Sequence, residues 1–123
     1  MDEKLKKLVE KLRSMEPLEQ TGGRRRFRII ASTLDKRGKT IATRCNDYNC
    51  THPLQKHYAS KAGRPEAEAL HAEIASIIAS KDKEIHTVLI ARIDAKGNPV
   101  DAVPCEICSL AIKEKGIKNI IHT

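Results

Sequence analysis

Two short motifs that lie far apart in the chain constrain its fold more than any other feature. The first contains His71 and Glu73, and the second contains Cys105 and Cys108. One imidazole and two thiolates can supply three ligands to a tetrahedral zinc ion and leave its fourth position open to water. Using these residues together requires a fold that brings two distant segments to one point. The pattern predicts a zinc site of the open, catalytic type.

The spacing inside each motif gives its residues different tasks. Glu73 follows His71 too closely to share its helical face, so it is poorly placed as a fourth ligand. It is well placed to accept a proton from water that a metal activates. Cys105 and Cys108 are spaced so that both sulfurs fall on one side of the first turn of a helix. Pro104 suits the start of that helix, whose N-terminus favours the thiolate over the thiol.

A closed, structural zinc site is the alternative, with Cys45 and Cys50 joining Cys105 and Cys108. The first pair has a wider spacing than the second and lies far from it in the sequence. Such a site would also leave the His71 motif without a task. We favour the catalytic site for this reason and expect Cys45 and Cys50 to be free thiols.

Composition is that of an ordinary globular protein. The 123 residues are 40% hydrophobic and 32% charged, which predicts one domain with a modest core. No apolar run is long enough to cross a membrane, and the charged N-terminus lacks the apolar region of a signal peptide. With no sign of secretion, the four Cys are expected to be thiols or metal ligands. These features predict a cytoplasmic protein without a membrane partner.

The net charge of +7 favours a phosphorylated or polyanionic partner without identifying one. Three arginines at 24–26 are interpreted as a solvated strand start, with a phosphate-binding patch as the less favoured alternative. The aromatic residues are only Phe27, Tyr48 and Tyr58, so an extended base-stacking surface for single strands is not expected.

Hydrophobic periodicity predicts an alternation of helices and strands. The predicted elements, in chain order, are helix 2–15, strands 27–34 and 40–45, helix 65–80, strand 86–93, helix 105–115 and strand 117–122. A polar loop is expected from 46 to about 64. The second helix would begin later than 65 if His71 lies near its N-terminus. The apolar strand 86–93 is expected at the centre of a sheet, and Gly116 is expected to end the third helix.

The order H-x-E and then P-C-x-x-C resembles the signature of the zinc-dependent cytidine and deoxycytidylate deaminase superfamily, in particular a small, phage- or toxin-like member. The resemblance covers roughly 27–123. It implies an α/β, cytidine deaminase-like three-layer fold, in which a mixed sheet of about four strands is flanked by helices. Residues 1–123 are then expected to form a single deaminase-like domain, with an N-terminal helix within 1–20 packed on its body.

The resemblance also implies a role for each residue of the two motifs. His71, Cys105 and Cys108 would bind Zn²⁺, and Glu73 would be the catalytic residue. Glu73 would carry a proton to the ring nitrogen beside the reacting carbon and would later help to protonate the departing ammonia.

Substrate contacts are implied for Asn46, Ala72, Val103 and His52. An Asn after the second strand of the hairpin hydrogen-bonds the sugar or base in the family, although Asn46 would also suit a turn. The backbone of Ala72 would contact the base, and the carbonyl of Val103 would accept a hydrogen bond from the substrate amino group. His52 lies in a stretch similar to one in phage and toxin-associated deaminases. It would stack on a base or meet a phosphate, unless it is merely solvated.

Taken together, these expectations predict that the protein is a hydrolytic deaminase, which converts a cytosine nucleoside or nucleotide to the uracil form and releases ammonia. The alternative is a deaminase of cytosine or adenine in single-stranded DNA or RNA, which the basic charge supports. A non-catalytic, zinc-stabilised binding module is the third interpretation, and it would give Glu73 no role. Many relatives continue with a fifth strand and further helices. Without these, the edge of the last strand would be exposed, which predicts a homo-oligomer.

Overall fold

A computed structural model describes residues 2–15, 28–47, 49–67 and 69–123. Its helices and strands, in chain order, are α1 (Glu3–Ser14), β1 (Ile29–Leu34), β2 (Thr40–Cys45), α2 (Pro53–Lys61), α3 (Ala72–Ala79), β3 (Thr87–Ile93), β4 (Pro99–Val100), α4 (Glu106–Glu114) and β5 (Asn119–His122). The arginines at 24–26, Phe27 and Tyr48 lie outside the described residues. Inside the described ranges, no helix is both long enough and apolar enough to cross a membrane.

Strand β3 is at the centre of the sheet, as its apolar sequence predicted. It pairs antiparallel with β1 on one side, and β1 pairs antiparallel with β2. On its other side, β3 pairs parallel with β5 along 87–90 and antiparallel with β4 at Arg92 and Ile93. The described residues form a mixed five-stranded sheet, which confirms the predicted α/β class with one strand more than expected.

Alternate side chains of β3 belong to two different cores, because successive residues of a strand face opposite sides of the sheet. Val88 and Ile90 pack among side chains of α2, α3 and α4. Leu89 and Ala91 pack on the other face, among side chains of α1. The result is three layers, with α1 on one side of the sheet and the other three described helices on the opposite side.

Helix α1 presents one apolar stripe to its side of the sheet. Its buried residues are Leu5, Leu8, Val9 and Leu12. Each such side chain contributes about 1.5–3 kcal/mol, before entropy costs, by leaving water. The carboxylate of Asp2 accepts a hydrogen bond at 2.8 Å from the backbone N–H of Lys4 and so caps the helix. The helix predicted over 2–15 is observed as α1, and its apolar stripe packs against the sheet.

Helix α2 lies inside the segment that was predicted to be a loop, so that prediction is wrong for Pro53–Lys61. Pro53 occupies the first turn, where its missing N–H costs nothing. The Nδ1 atom of His52 accepts a hydrogen bond at 3.0 Å from the backbone N–H of Leu54 and caps the helix. The buried residues of α2 are Gln55, Tyr58 and Ala59, which do not form the aliphatic stripe on which the prediction depended.

Helices α3 and α4 both begin later in the chain than predicted. The helix predicted from 65 begins at Ala72, with His71 as its N-cap residue, as expected if His71 lies near the N-terminus. Helix α4 begins at Glu106, so Cys105 is its N-cap residue and Pro104 precedes the helix. Gly116, with a φ of 70°, follows the end of α4 as predicted. The two-residue strand β4 was not predicted, because it is too short to show a periodic pattern.

Candidate active site

Helix α3 is fixed on the sheet by two hydrogen bonds that involve buried hydroxyl groups. The Oγ atom of Ser76 donates to the carbonyl oxygen of Ala31 in β1 at 2.9 Å. Near the other end of the helix, the Oγ1 atom of Thr33 lies 2.6 Å from the Oγ atom of Ser80. Paired buried hydroxyls satisfy each other and favour a single position of the helix on the sheet. Ser76 holds the middle of α3 on β1, whereas Thr33 holds the end of the helix opposite His71.

The two sequence motifs meet at the N-termini of α3 and α4. His71 and Cys105 are the N-cap residues of these helices, and neither side chain makes a capping hydrogen bond to its own helix. The Nδ1 atom of His71 instead lies 3.2 Å from the Sγ atom of Cys108 and 3.5 Å from that of Cys105. The three ligand atoms all lie within 4.8 Å of one another.

The separations of these ligand atoms fit a zinc ion. Tetrahedral zinc with bonds of about 2.0 Å to nitrogen and 2.3 Å to sulfur would place the nitrogen and each sulfur roughly 3.5 Å apart. The 3.2 and 3.5 Å separations are close to that value. Three soft or borderline ligands, with no fourth His, Cys, Asp or Glu grouped with them in the described residues, also match the donor set of a catalytic site. His71, Cys105 and Cys108 could hold the metal.

The two thiols have opposite pKa shifts because they share a hydrogen bond. The sulfur of Cys105 accepts hydrogen bonds from Cys108 and from His71, which lowers its pKa to about 3. Cys108 donates to that sulfur and is fully buried, and both effects raise its pKa well above the usual value. The hydrogen bond to Cys105 also raises the pKa of His71. A divalent cation at this point would favour the thiolate form of both sulfurs, because coordinating thiols are deprotonated.

Glu73 is a buried carboxyl group in the first turn of α3, with 6% of its surface exposed. Burial raises its pKa, against the opposing effects of hydrogen bonds from its own backbone N–H and from Cys108. A carboxylate whose pKa is raised by burial is a stronger base than an ordinary carboxylate, so it is suited to accept a proton and then to return it. Its side chain adjoins the metal-ligand group without belonging to it, as the spacing predicted.

A cavity of about 260 Å³ opens in front of this group. His71, Glu73 and Cys105 line it on one side. Three of the four residues predicted to contact a substrate also line it: Asn46, Ala72 and Val103. Val103 is 61% exposed, so it lies at the opening of the cavity.

Asn46 and His52 are held by different interactions. The Oδ1 atom of Asn46 accepts a hydrogen bond from the backbone N–H of Ile29 at 2.8 Å. The backbone N–H of Asn46 donates to the carbonyl oxygen of Ile29 at 3.0 Å. These contacts fix Asn46 at the wall of the cavity. His52 is not among the residues that line the cavity, and its Nδ1 atom caps α2. A substrate role for either residue stays a prediction.

Arg92 and Asp101 also line the cavity, and the sequence reasoning missed both. Val88 and Ile90 face the core that contains α3 and α4, and Arg92 follows at the same period of two. The alternation of side chains along this strand is visible in the sequence. It was sufficient to predict that Arg92 lies on the same face of the sheet as the candidate site. Asp101 follows the short strand β4, which no sequence pattern predicted.

A larger cavity, of about 420 Å³, lies near the other end of the sheet. It is formed by the turn between β1 and β2, by the start of β2, and by Lys83, Glu84 and His86, and neither Cys105 nor Glu73 lines it. Size alone would favour it. The chemistry favours the smaller cavity, because only there do a metal-ligand group and a buried carboxyl group meet among the described residues.

A comparison with protein families agrees with this geometry. The model for the cytidine and deoxycytidylate deaminase zinc-binding region matches residues 2–123, which is nearly the whole chain. Among individual curated proteins, none matches the chain.

Proposed function

The chain belongs to the cytidine and deoxycytidylate deaminase zinc-binding family, and on this premise we propose that it converts a cytosine nucleoside or nucleotide to the uracil form with release of ammonia. The observation that carries the proposal is the group formed by His71, Cys105 and Cys108 beside the buried carboxyl group of Glu73. Zinc bound by these three residues would act as a Lewis acid that makes water nucleophilic at neutral pH.

Glu73 is the proposed proton carrier. It accepts a proton from the attacking water and delivers it to the ring nitrogen beside the reacting carbon. The new bond joins oxygen to C4 of cytosine, and the bond from C4 to the amino nitrogen then breaks. As that bond breaks, Glu73 takes the remaining proton from the added oxygen and gives it to the departing amino nitrogen, so the oxygen becomes the carbonyl of the uracil form and ammonia is released. Its raised pKa supports both directions of transfer.

Three of the four proposed substrate contacts belong to residues that line the cavity. Asn46 is held against β1 and offers its amide to the sugar or base. The backbone of Ala72 faces the base, and the carbonyl of Val103 accepts from the substrate amino group. His52, the N-cap residue of α2, is proposed to stack on the base or to meet a phosphate. The guanidinium group of Arg92 on the cavity wall supports a substrate that carries negative charge.

A deaminase of single-stranded DNA or RNA is the second candidate, and the net charge of +7 is the observation that favours it. A binding module without catalysis is less well supported. Burying a carboxyl group costs stability, and a module that only binds would not need Glu73 in its buried position.

We further propose that the protein forms a homo-oligomer. Within the described residues, β5 pairs with β3 alone, and Ile120 of β5 is 42% exposed. A strand edge with an exposed aliphatic side chain is usually covered by another chain or element.

A product assay tests the proposed function. Cytidine, deoxycytidine, their monophosphates, adenosine and short cytosine-containing oligonucleotides are offered to the zinc-loaded protein, and ammonia and uracil products are measured. Conversion of the small cytosine compounds is expected, with a gentle dependence on salt. Conversion of oligonucleotides alone, with affinity falling steeply as salt rises, would establish the second candidate, because binding a strand releases many counterions.

A further inference from the structure

Gln55 is a fully buried polar side chain that the proposed mechanism does not use. It lies in the first turn of α2, the helix that was not predicted from the sequence. An uncharged amide buried away from water is costly unless both of its ends are hydrogen-bonded. The hydrogen-bond partners of Gln55 therefore indicate its role.

Both ends of the Gln55 amide bind the backbone just before α3. Its Nε2 atom donates to the carbonyl oxygen of Ala67 at 3.2 Å. Its Oε1 atom accepts from the backbone N–H of His71 at 3.1 Å. One side chain thus connects the two ends of the stretch 67–71, and the stretch ends at a proposed metal ligand.

The backbone of His71 depends on such outside partners. His71 is the N-cap residue of α3, so its N–H lies before the helical hydrogen bonds. Its imidazole makes no capping bond and faces the two thiols. The neighbouring Leu70 is held from the other side by paired hydrogen bonds with Asp47, at 2.9 and 3.2 Å. Gln55 supplies the hydrogen bond to the ligand residue itself.

Helix α2, which carries Gln55, is itself held in place by packing and by an ion pair. Tyr58 and Ala59 are buried in the core shared by α3 and α4. Lys61, at the end of α2, forms an ion pair with Glu114 of α4. The amide of Gln55 is therefore carried by a helix that is packed against the element bearing Cys108.

We propose that Gln55 is a positioning residue for the metal site, which fixes the backbone of His71 so that the imidazole meets the two thiols. The inference rests on the ligand set in the proposed function. Metal ligands must be held within about 0.5 Å of their working geometry by surrounding contacts. Loss of such outer contacts typically lowers metal affinity or activity about 10- to 100-fold.

Zinc affinity, measured by competition with a chelator, tests the inference without requiring any substrate. Gln55→Met fills the same space but removes both hydrogen bonds. Gln55→Asn keeps the amide but is one methylene shorter, so it cannot reach both backbone partners. The matched control is Thr33→Val, which removes a fully buried hydroxyl contact of α3. It does so near Ser80, the C-cap residue at the end of α3 opposite His71.

We expect both Gln55 variants to bind zinc at least about tenfold more weakly than the parent. Thr33→Val should lose thermal stability yet bind zinc as the parent does. The cobalt-substituted Gln55 variants should also show altered thiolate-to-metal absorption, which a loss of stability alone would not cause. If Gln55→Met does not fold, Gln55→Asn is judged by the same measurements.

Two results would overturn the inference. One is parent-like zinc affinity and cobalt spectra in the Gln55 variants. The other is an equal loss of zinc affinity in Thr33→Val, which would make the effect a general consequence of instability. A parent protein that binds no zinc would instead overturn the ligand set, and with it the proposed function.

Discussion

Ile29 and Arg92 lie directly opposite each other in β1 and β3, and both line the cavity in front of the candidate zinc ligands. The pairing places an aliphatic side chain and a guanidinium group side by side on one wall. Arg92 is half-buried, so its charge is less screened than that of an exposed cation. This wall therefore combines an apolar surface with a positive charge.

Replacing Arg92 by Gln should affect a charged substrate more than a neutral one. A hydrogen bond to a charged group contributes about 1.5–3 kcal/mol, so KM for a cytosine monophosphate should rise about tenfold or more. KM for the corresponding nucleoside should change little. Steady-state kinetics on both substrates check this prediction.

Lys96→Gln is the control for that experiment, since it removes the same charge from the exposed turn between β3 and β4. It should leave the ratio of the two KM values unchanged. Equal effects of both substitutions would show that net charge, and not a contact in the cavity, favours the charged substrate.

Cys105→Ser and Cys108→Ser should each abolish stable zinc binding. Serine replaces a thiolate by a hydroxyl group that is a poor zinc ligand, and the binding energy of the metal is also stability. Elemental analysis should find about one zinc per chain in the parent and little in either variant. Cys50→Ser is the matched control, because Cys50 is an exposed free thiol. Normal zinc content in both site variants would refute the ligand assignment.

Glu73→Gln should separate catalysis from metal binding. The amide keeps the size of the carboxyl group but cannot carry a proton, so turnover should fall by about a hundredfold or more. Zinc content and the melting temperature should not fall, since the substitution removes an ionisable group that burial disfavours in its charged form. Turnover and metal content are measured on the same sample. A Glu73→Gln protein with parental turnover would exclude Glu73 as the proton carrier.

The proposed oligomer should be visible as a dimer or tetramer mass in light scattering. Ile120→Lys should shift that mass towards the monomer, because it places a charge on an exposed aliphatic position of β5. Ser60→Lys adds the same charge at an exposed position of α2 and should leave the mass unchanged. A parent protein with the mass of one chain at all working concentrations would contradict the proposal.

Elements with a strong pattern were predictable from the sequence. The apolar stripe of α1 and the polar turn before β2 gave bounds within about a residue of those observed. The motifs containing His71 and Cys105 do meet in space. This was predictable because the ligand chemistry of zinc leaves few other uses for that combination of residues.

Helix α2 was not predictable by the same means. Its buried face is formed by Gln55, Tyr58 and Ala59, so it carries no aliphatic period. The partners of Gln55 lie 12 and 16 positions further along the chain, and a local pattern cannot reveal them. The late start of α3 has a similar cause. The segment before His71 is held by contacts with Asp47 and Gln55, and these override its own helical tendency.

His71 and Cys105 each stand at the residue before a helix, and this position links metal occupancy to backbone motion. First-turn N–H groups have no intrahelical acceptors, and here the N-cap side chains supply none. Helix ends in general open locally more readily than helix centres. An ion bound to both residues would have to be released, or distorted, before either end could open. Amide protons in the first turns of α3 and α4 should consequently exchange with solvent more slowly when zinc is bound, and both turns should slow together.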